Sequence, residues 1–441
     1  MQKIFSFVSS SMSTLKAIDL QTKLDVFWIG VIQAANYLFP FVATTYLVRT
    51  IGVDLYGKTE FATYIILYFI TLVNYELHIT GTRSFSRVIN NQAKTNQLFS
   101  IIFTSKTYLL ALSALLFSLL PILWPGKFFN LLFLFTYLIV IGHFFYQPHI
   151  FQGFGKVRTL AIMNLLIKAI STGLLFLIIR SPKDYQLVNL NYSLSYILIG
   201  TISYLLALKM FRIDFQWKKR RTVLLFLKSG FYIFLTSGVI AQITLNLSAI
   251  LLGFFLPLNI LGSYSAAIKI IIAFQVMILL PLRQVFFPKL SSYWAFSRQH
   301  YRKIFKTYAL LMGGSTFILG VLILLFAPFI IKTMYGNYYA KMIFCMRMLA
   351  FLPFVTAMNN VFINDGLIIS GKDKLVFQIQ SSIALINVIT LLIMVPKFGL
   401  TPVLITRNVL ELSACFAGFL FFRNKVMKEW NKTNPGQPTN E

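Results

Sequence analysis

Long apolar segments recur along the whole chain and limit what it can fold into. A helix of about 20 apolar residues covers the ~30 Å hydrocarbon core of a bilayer. We therefore predict an all-α integral membrane protein with about twelve transmembrane helices. The predicted helices occupy residues 26–48, 58–80, 98–123, 128–150, 159–179, 188–208, 224–253, 260–282, 305–331, 342–369, 376–395 and 401–422.

The composition excludes a soluble globular domain. Of the 441 residues, 57% are hydrophobic and 12% are charged, whereas soluble domains carry roughly 25% charged residues. The net charge of +28 could suggest nucleic acid as a partner. However, the basic residues are scattered over short loops, which favours an explanation by topology and anionic lipid headgroups. We expect membrane lipids as partners, and no nucleic acid.

The loops alternate between rich and poor in Lys and Arg, and this alternation predicts the orientation. The two terminal segments and every second connection together hold 26 of the 40 basic residues, and the alternate connections hold 8. Positive charge is retained on the cytoplasmic side of a membrane. Both termini are therefore predicted to be cytoplasmic, which requires an even number of spans.

A basic run near the midpoint, Lys218–Arg221, divides the chain into two similar parts. We predict an N-terminal six-helix bundle at 1–208 and a cytoplasmic basic linker at 209–223. A C-terminal six-helix bundle at 224–422 and a cytoplasmic tail at 423–441 complete the predicted organisation.

Two sequence echoes indicate that the predicted halves are repeats. Leu55-Tyr56-Gly57 enters the second helix of the first half, and Ile260-Leu261-Gly262 enters the second helix of the other half. A second echo, Gly153-Phe-Gly-Lys and Gly371-Lys-Asp-Lys, follows the fourth helix of each half. Parallel repeats of this kind commonly build transporters with a cavity between the halves. The sequence therefore predicts a central cavity.

No catalytic motif accompanies these helices. The four histidines lack metal-ligand spacing, both cysteines lie in apolar segments, and no phosphate-binding glycine loop is present. We expect a transporter that is not an enzyme and that uses neither a cofactor nor a metal. An enzyme class remains as an alternative, although the predicted outer loops are too short for a soluble catalytic domain.

Ionisable residues inside the predicted spans are the functional candidates. A charge at the bilayer centre costs at least about 2.5–3.5 kcal/mol and usually faces a cavity or the bundle interior. Basic residues outnumber acidic ones, which predicts a cationic cavity for an anionic substrate such as a phosphate or diphosphate. The basic candidates are Lys106, Lys168, Lys228, Lys269, Arg347 and Arg407, and the acidic ones are Glu76, Asp365 and Glu411.

The candidates differ in how far they lie from the ends of their predicted helices. The three lysines Lys106, Lys168 and Lys269 lie deepest, which favours a role in lining the cavity. Lys228 lies near a helix end and is expected to extend to the headgroups. Arg407 and Glu411 are four residues apart and could pair along one face, either as a structural contact or as a proton-sensitive one.

Several motifs in this order resemble Wzx-type flippases for lipid-linked polysaccharide repeat units, a branch of the multidrug, oligosaccharidyl-lipid and polysaccharide exporter superfamily. No single motif is decisive, but their order spans nearly the whole chain. They are Tyr75–Arg83 (YELHITGTR), Lys106, Pro148–Gly153 (PHIFQG), Lys168, Gly262–Lys269 (GSYSAAIK), Phe287–Ser291 (FPKLS), Arg347 and Glu411. Glu76 and Thr401-Pro402-Val403 depart from the family pattern.

This resemblance implies a flippase of the bacterial cytoplasmic membrane. Its substrate would be an undecaprenyl-diphosphate-linked oligosaccharide of O-antigen or a related polysaccharide, moved by alternating access and coupled to an ion gradient. A polysaccharide polymerase and chain-length machinery are implied partners. The substrate-binding candidates are Lys106, Lys168, Lys269, Arg347 and Arg407, and the ion-coupling candidates are Glu411, Glu76 and Asp365.

Two other function classes stay open at the level of sequence. One is a multidrug or cation antiporter, or a peptidoglycan-precursor flippase, of the same superfamily. The other is a membrane polymerase or glycosyltransferase.

Overall fold

A computed structural model describes residues 20–123, 130–336 and 339–427. The regular secondary structure in these three ranges is helical, without a β-strand. The helices are α1 (Leu20–Asn74), α2 (Leu77–Ser86), α3 (Gln92–Leu123), α4 (Leu131–Phe145), α5 (Pro148–Gly153), α6 (Val157–Ile178), α7 (Tyr185–Met210), α8 (Arg220–Ile233), α9 (Ala241–Phe255), α10 (Leu258–Phe296), α11 (Arg298–Tyr335), α12 (Ala340–Met348), α13 (Leu352–Asn359), α14 (Asp373–Phe398) and α15 (Leu400–Phe421). Segments of π-helix occupy Phe234–Ile240, Asn360–Leu367 and Phe422–Val426.

The membrane-protein prediction is confirmed. Within the described ranges, eleven helical segments are long and apolar enough to cross a membrane. The twelve predicted spans map onto these eleven because α1 contains the first two. Gly52 separates its two arms with φ 79° and ψ 165°, a backbone conformation that glycine adopts far more readily than other residues.

Several predicted helix boundaries were wrong. The predicted helix 58–80 breaks at Tyr75 and Glu76, which both have positive φ. The predicted helix 342–369 is interrupted between α12 and α13 and continues as π-helix. The segment 283–306, predicted as a loop, is almost entirely helical because α10 extends to Phe296 and α11 begins at Arg298.

The outer surface of the bundle is apolar. Large side chains such as Leu310, Leu325, Phe329 and Phe416 are exposed. A soluble monomer rarely exposes apolar patches of this extent, whereas lipid accommodates them. The helices satisfy their backbone hydrogen bonds internally, as a lipid environment requires.

The first sequence echo lies at the closest approach between α1 and α10. A Cβ atom on Gly57 would overlap the carbonyl oxygen of Leu258, and a Cβ on Gly262 would overlap that of Val53. The two contacts are related by one shift of 205 residues, since Val53 corresponds to Leu258 and Gly57 to Gly262. The repeated motifs therefore pack on each other as symmetric partners.

The second echo forms the same turn in both places, with a different alignment. The glycines with positive φ are Gly155 and Gly371. In each turn the next residue closes a 6→1 hydrogen bond, from Lys156 N to Phe151 O (2.7 Å) and from Lys372 N to Leu367 O (2.9 Å). This is the glycine helix-end motif of the Schellman type. The equivalent of Gly371 is therefore Gly155 and not Gly153.

The basic linker packs along α3. The Gln92 side chain donates to the carbonyls of Phe211 and Arg212, and the backbone N–H of Gln216 donates to Ser100 Oγ at 3.1 Å. The division into two bundles stays a prediction. Parts of the predicted cytoplasmic end segments, residues 1–19 with Lys3 and Lys16 and residues 428–441 of the tail 423–441, lie outside the described residues, as does the loop residue Lys127.

The crossing of α1 and α10 gives a testable prediction. Gly57→Ala and Gly262→Ala each place a methyl group against backbone atoms, and overpacking of this kind costs about 1–3 kcal/mol. We expect a lower Tm for both variants in detergent. Gly173→Ala and Gly314→Ala are matched controls because a Cβ at either position meets no atom within 4 Å. Equal Tm values for all four variants would contradict the close crossing.

Candidate functional site

A cavity of about 320 Å³, which we call the polar cavity because most of its lining residues carry polar side chains, lies between α1, α4, α6 and α7. All four helices belong to the predicted N-terminal bundle, so a central cavity between the halves stays a prediction. Helical spacing builds one of its walls, because Asn164, Lys168 and Thr172 recur every four residues along α6 and share a face. Tyr192 and Tyr196 do the same on α7. The remaining lining residues are Asn36, Phe39, Pro40, His143, Tyr146, Ser171, Ser195 and Ile199.

Lys168 is the single basic residue in this described lining apart from His143, and the lining contains no Asp or Glu. Its Nζ donates to Asn36 Oδ1 and lies 5.8 Å from the ring centroid of Tyr196. Neither partner is a carboxylate, so the ammonium charge is not neutralised there. The cavity therefore offers an anionic group a charge-assisted hydrogen bond.

Aromatic and amide groups surround this lysine. The His143 ring stacks on Tyr196 with centroids 4.9 Å apart, and its Nδ1 lies 3.2 Å from Asn74 Nδ2. Asn164 Nδ2 donates to the Tyr146 hydroxyl at 3.3 Å. Flat rings beside hydrogen-bonding amides and hydroxyls present both apolar faces and polar edges, an arrangement suited to a sugar.

Lys106 lies next to this cavity but does not line it. Its side chain is buried, and Nζ donates to the carbonyls of His143 (2.7 Å) and Tyr146 (2.9 Å). These carbonyls belong to the C-terminal end of α4, where a cation satisfies acceptors that the helix leaves open. Lys106 therefore acts on the cavity by holding the backbone of two lining residues.

Lys269 joins α10 to the second arm of α1. Its Nζ lies 2.7 Å from Glu60 Oε1 and 2.9 Å from the Tyr56 hydroxyl. Among the described residues, this is the ion pair that connects the predicted halves, and it lies one helical turn from the contact of Gly57. Glu60 was not among the predicted site residues, although it lies inside the predicted helix 58–80.

Arg407 and Glu411 line a second, small cavity of about 20 Å³ together with Thr244, Ser248 and Asn387. They use separate partners and do not pair with each other. Glu411 accepts a hydrogen bond from Asn359 Nδ2, and Arg407 Nη1 donates to the carbonyl of Leu245 at 3.1 Å. A volume of this size holds one water or one small ion.

Asp365 is fully buried within a structural cluster. Its Oδ1 lies 2.9 Å from Arg283 Nη2, and its Oδ2 accepts from the Tyr308 hydroxyl at 2.6 Å. Arg283 lies inside α10 and not in the predicted cytoplasmic loop 283–306. The cluster joins α10 and α11 to the π-helical segment Asn360–Leu367. Both carboxylate oxygens of Asp365 already have partners, Arg283 and Tyr308.

Of the three remaining candidates, Lys228 is exposed within α8, and the other two lie at helix ends. Glu76 occupies the break after α1 and lies 3.3 Å from His78 Nδ1. Arg347 is exposed near the end of α12. The five predicted basic residues thus do not share one cavity in this conformation: only Lys168 lines the large cavity, and Arg407 lines the small one.

Comparison with known proteins identifies the family. The profile described as "Polysaccharide biosynthesis protein" matches residues 23–294. The chain belongs to this polysaccharide biosynthesis family. Two relatives, both named "Putative O-antigen transporter", are 24% identical to it. The one from Escherichia coli (strain K12) aligns over 78% of this chain and 82% of its own length, and the one from Shigella dysenteriae over 86% and 94%.

Solved structures show which fold this family member shares. The lipid II flippase MurJ in an inward closed conformation matches with a TM-score of 0.65 at 17% identity, covering 90% of this chain and 88% of MurJ. An inward-facing multidrug resistance MATE family transporter of the MOP superfamily matches with a TM-score of 0.63 at 14% identity, covering 89% and 94%. Identities this low establish the fold alone.

The different surroundings of Lys106 and Lys168 predict different effects on stability. Lys106→Met leaves two buried carbonyls without their donor, and each unsatisfied group costs about 1–3 kcal/mol. We therefore expect a clear fall in Tm. Lys168→Met removes a cation that faces a cavity, and its Tm should stay near that of the native protein. If both variants unfolded at the same temperature, the capping role of Lys106 would be wrong.

The pair between Lys269 and Glu60 can be tested by removing one partner and then both. Lys269→Met strands a carboxylate whose side chain is only 10% exposed. The loss should fall below the roughly 3–5 kcal/mol of a fully buried pair, since 29% of the Lys269 side chain is exposed. Adding Glu60→Gln to Lys269→Met should restore part of the lost Tm. A double variant no more stable than Lys269→Met would contradict the pairing.

Proposed function

We propose that this protein is a flippase that moves undecaprenyl-diphosphate-linked oligosaccharide repeat units across the bacterial cytoplasmic membrane. The observation that carries the proposal is a cavity inside a multi-pass helical bundle that combines Lys168, polar amides and aromatic rings without a carboxylate. Membership of the polysaccharide biosynthesis family and the names of the two relatives support the same substrate class.

The physical task of such a protein is to shield a polar headgroup from hydrocarbon. Moving unpaired polar groups into an apolar medium costs several kcal/mol each, which prevents spontaneous crossing of an oligosaccharide diphosphate. In this account Lys168 binds the anionic part of the headgroup, and the amides and rings around it bind sugar. Lys106 holds the cavity wall, and the polyprenyl chain does not enter the polar cavity.

In the proposed mechanism, alternating access works through the contact between α1 and α10. In the predicted orientation, Gly57, Gly262 and the Lys269–Glu60 pair lie toward the outer ends of the helices and close that side. Opening requires these contacts to separate while contacts at the cytoplasmic side form. The product would then face the outer leaflet, where a polysaccharide polymerase could use it.

Ion coupling is assigned to Glu411. It is the single carboxylate that lines the small cavity, beside the hydroxyls of Thr244 and Ser248 and the amide of Asn387. Oxygen ligands of these types suit a proton or a small hard cation. Asp365 is less suited, because Arg283 and Tyr308 already occupy both of its oxygens.

A multidrug or cation antiporter of the same fold is the second candidate. Glu411 is the observation that favours it, since a cation would bind a carboxylate, but the small cavity around Glu411 would have to widen to admit an organic cation. The large cavity favours the flippase, because it carries a cation and no acid.

Transport in vesicles tests the proposed role of Lys168. A charge-assisted hydrogen bond contributes about 1.5–3 kcal/mol, so Lys168→Met should slow exposure of a lipid-linked oligosaccharide at the opposite leaflet by about tenfold or more. Lys397→Met removes the same charge from an exposed position and serves as the control. Full transport of the lipid-linked oligosaccharide by Lys168→Met would overturn the proposal. So would a native protein that exports organic cations and does not move the oligosaccharide.

A second assay tests the role of Glu411. Glu411→Gln should abolish stimulation of transport by an imposed proton or sodium gradient, because the neutral amide cannot carry a proton or balance a cation. Movement of substrate down its own gradient should persist. Unchanged stimulation in Glu411→Gln would remove this residue from the coupling mechanism.

A further inference from the structure

An apolar groove of about 260 Å³ runs between α6 and α7 on the side of these helices away from the polar cavity. Apart from Ser171, Asn191 and Ser195, its lining consists of Ile and Leu. The α7 wall of the groove includes Leu190, Leu194 and Leu198.

The groove and the polar cavity share a wall. Ser171 of α6 and Ser195 of α7 line both spaces. Each helix therefore presents a polar stripe to one side and an aliphatic stripe to the other, as the periods of three and four residues along Ile167, Ile170, Leu174 and Ile178 require. The two compartments differ in polarity and lie back to back.

A polar contact closes the wall between the compartments. Asn191 Nδ2 donates to the Ser171 carbonyl at 3.0 Å and to Ser171 Oγ at 2.9 Å. Both residues are buried. The contact joins α6 to α7 through side-chain hydrogen bonds, so these bonds must break for the two spaces to connect at this point.

We propose that this groove binds the polyprenyl chain of the substrate while its headgroup occupies the polar cavity. This inference rests on the proposed function, because it assumes a substrate with a polar head and an isoprenoid tail. The chain is covalently tied to the headgroup, so it must reach lipid close to the place where the headgroup binds. The groove begins at Ile167, beside Lys168, which meets this requirement.

The length and direction of the groove indicate in which leaflet of the membrane it lies. It follows α6 from Ile167 to Ile178, the last residue of that helix, which is about 16 Å at 1.5 Å per residue. That length is about half of the ~30 Å hydrocarbon core. In the predicted orientation α6 ends at the outer surface, so the groove holds the chain in the outer leaflet.

Crosslinking tests the occupant of the groove. The photoreactive residue benzoyl-phenylalanine replaces Leu194 in the groove or, as the control, Leu385 on the exposed face of α14; both native side chains are at least half exposed. The full-length protein is placed in phosphatidylethanolamine and phosphatidylglycerol vesicles with tritiated undecaprenyl diphosphate. We expect at least tenfold more label at position 194 than at position 385. Equal labelling, or labelling at 194 that excess phospholipid removes as well as unlabelled undecaprenyl diphosphate does, would mean ordinary lipid contact and overturn the proposal.

Filling the groove gives a functional test. Leu194→Trp should reduce transport of an undecaprenyl-linked substrate at least tenfold and leave transport of an analogue with a ten-carbon chain unchanged, while Leu385→Trp should affect neither. Undiminished transport of the long-chain substrate by Leu194→Trp would overturn the groove as its binding site. If the variant with benzoyl-phenylalanine at position 194 crosslinked undecaprenyl diphosphate but the native protein moved no lipid-linked glycan, the proposed function would fail and the groove would stand.

Discussion

The structure depends on the place where α1 and α10 cross at backbone distance. Gly57 and Gly262 allow this approach because neither carries a Cβ atom. One helical turn further on, Lys269 forms an ion pair with Glu60 across the same interface. A tight helix crossing next to a partly buried charge pair can hold the two predicted bundles together and still release them. If α1 and α10 separate, the charged groups of Lys269 and Glu60 become exposed, and water or lipid headgroups can solvate them.

The intramembrane charges are stabilised in separate ways and do not form a common basic surface. Lys106 caps the end of α4, Lys269 pairs with Glu60, and Arg283 pairs with Asp365. Each arrangement offsets the cost of keeping a charge away from water. Lys168 differs because its partners are an amide and an aromatic ring. That difference makes it the strongest candidate in the large cavity for binding an anionic headgroup.

Hydrophobic segment length was sufficient to predict the fold class and nearly all of the helices. The repeat was also visible in the sequence, because Gly57 and Gly262 are required by the same backbone contact in each half. The boundaries at Tyr75 and Arg283 could not be predicted, since tertiary contacts decide whether a helix breaks or continues past a charge. Pairing was equally hidden: Glu60 lies 209 residues from Lys269 along the chain, and no local pattern joins them. Lys106 and Lys168 were predicted to share one role because both lie deep in their predicted helices. In the structure Lys106 caps the end of α4, and Lys168 lines a cavity.

The central claim is that the α1–α10 contact opens and closes during transport. The most direct test is a distance measurement between spin labels at Asp54 and Asn259, two exposed positions related by the same shift of 205 residues. With the protein in vesicles, addition of an undecaprenyl-diphosphate-linked glycan should add a second, longer distance to the one found without substrate. A single unchanged distance while the glycan crosses the membrane would contradict the account.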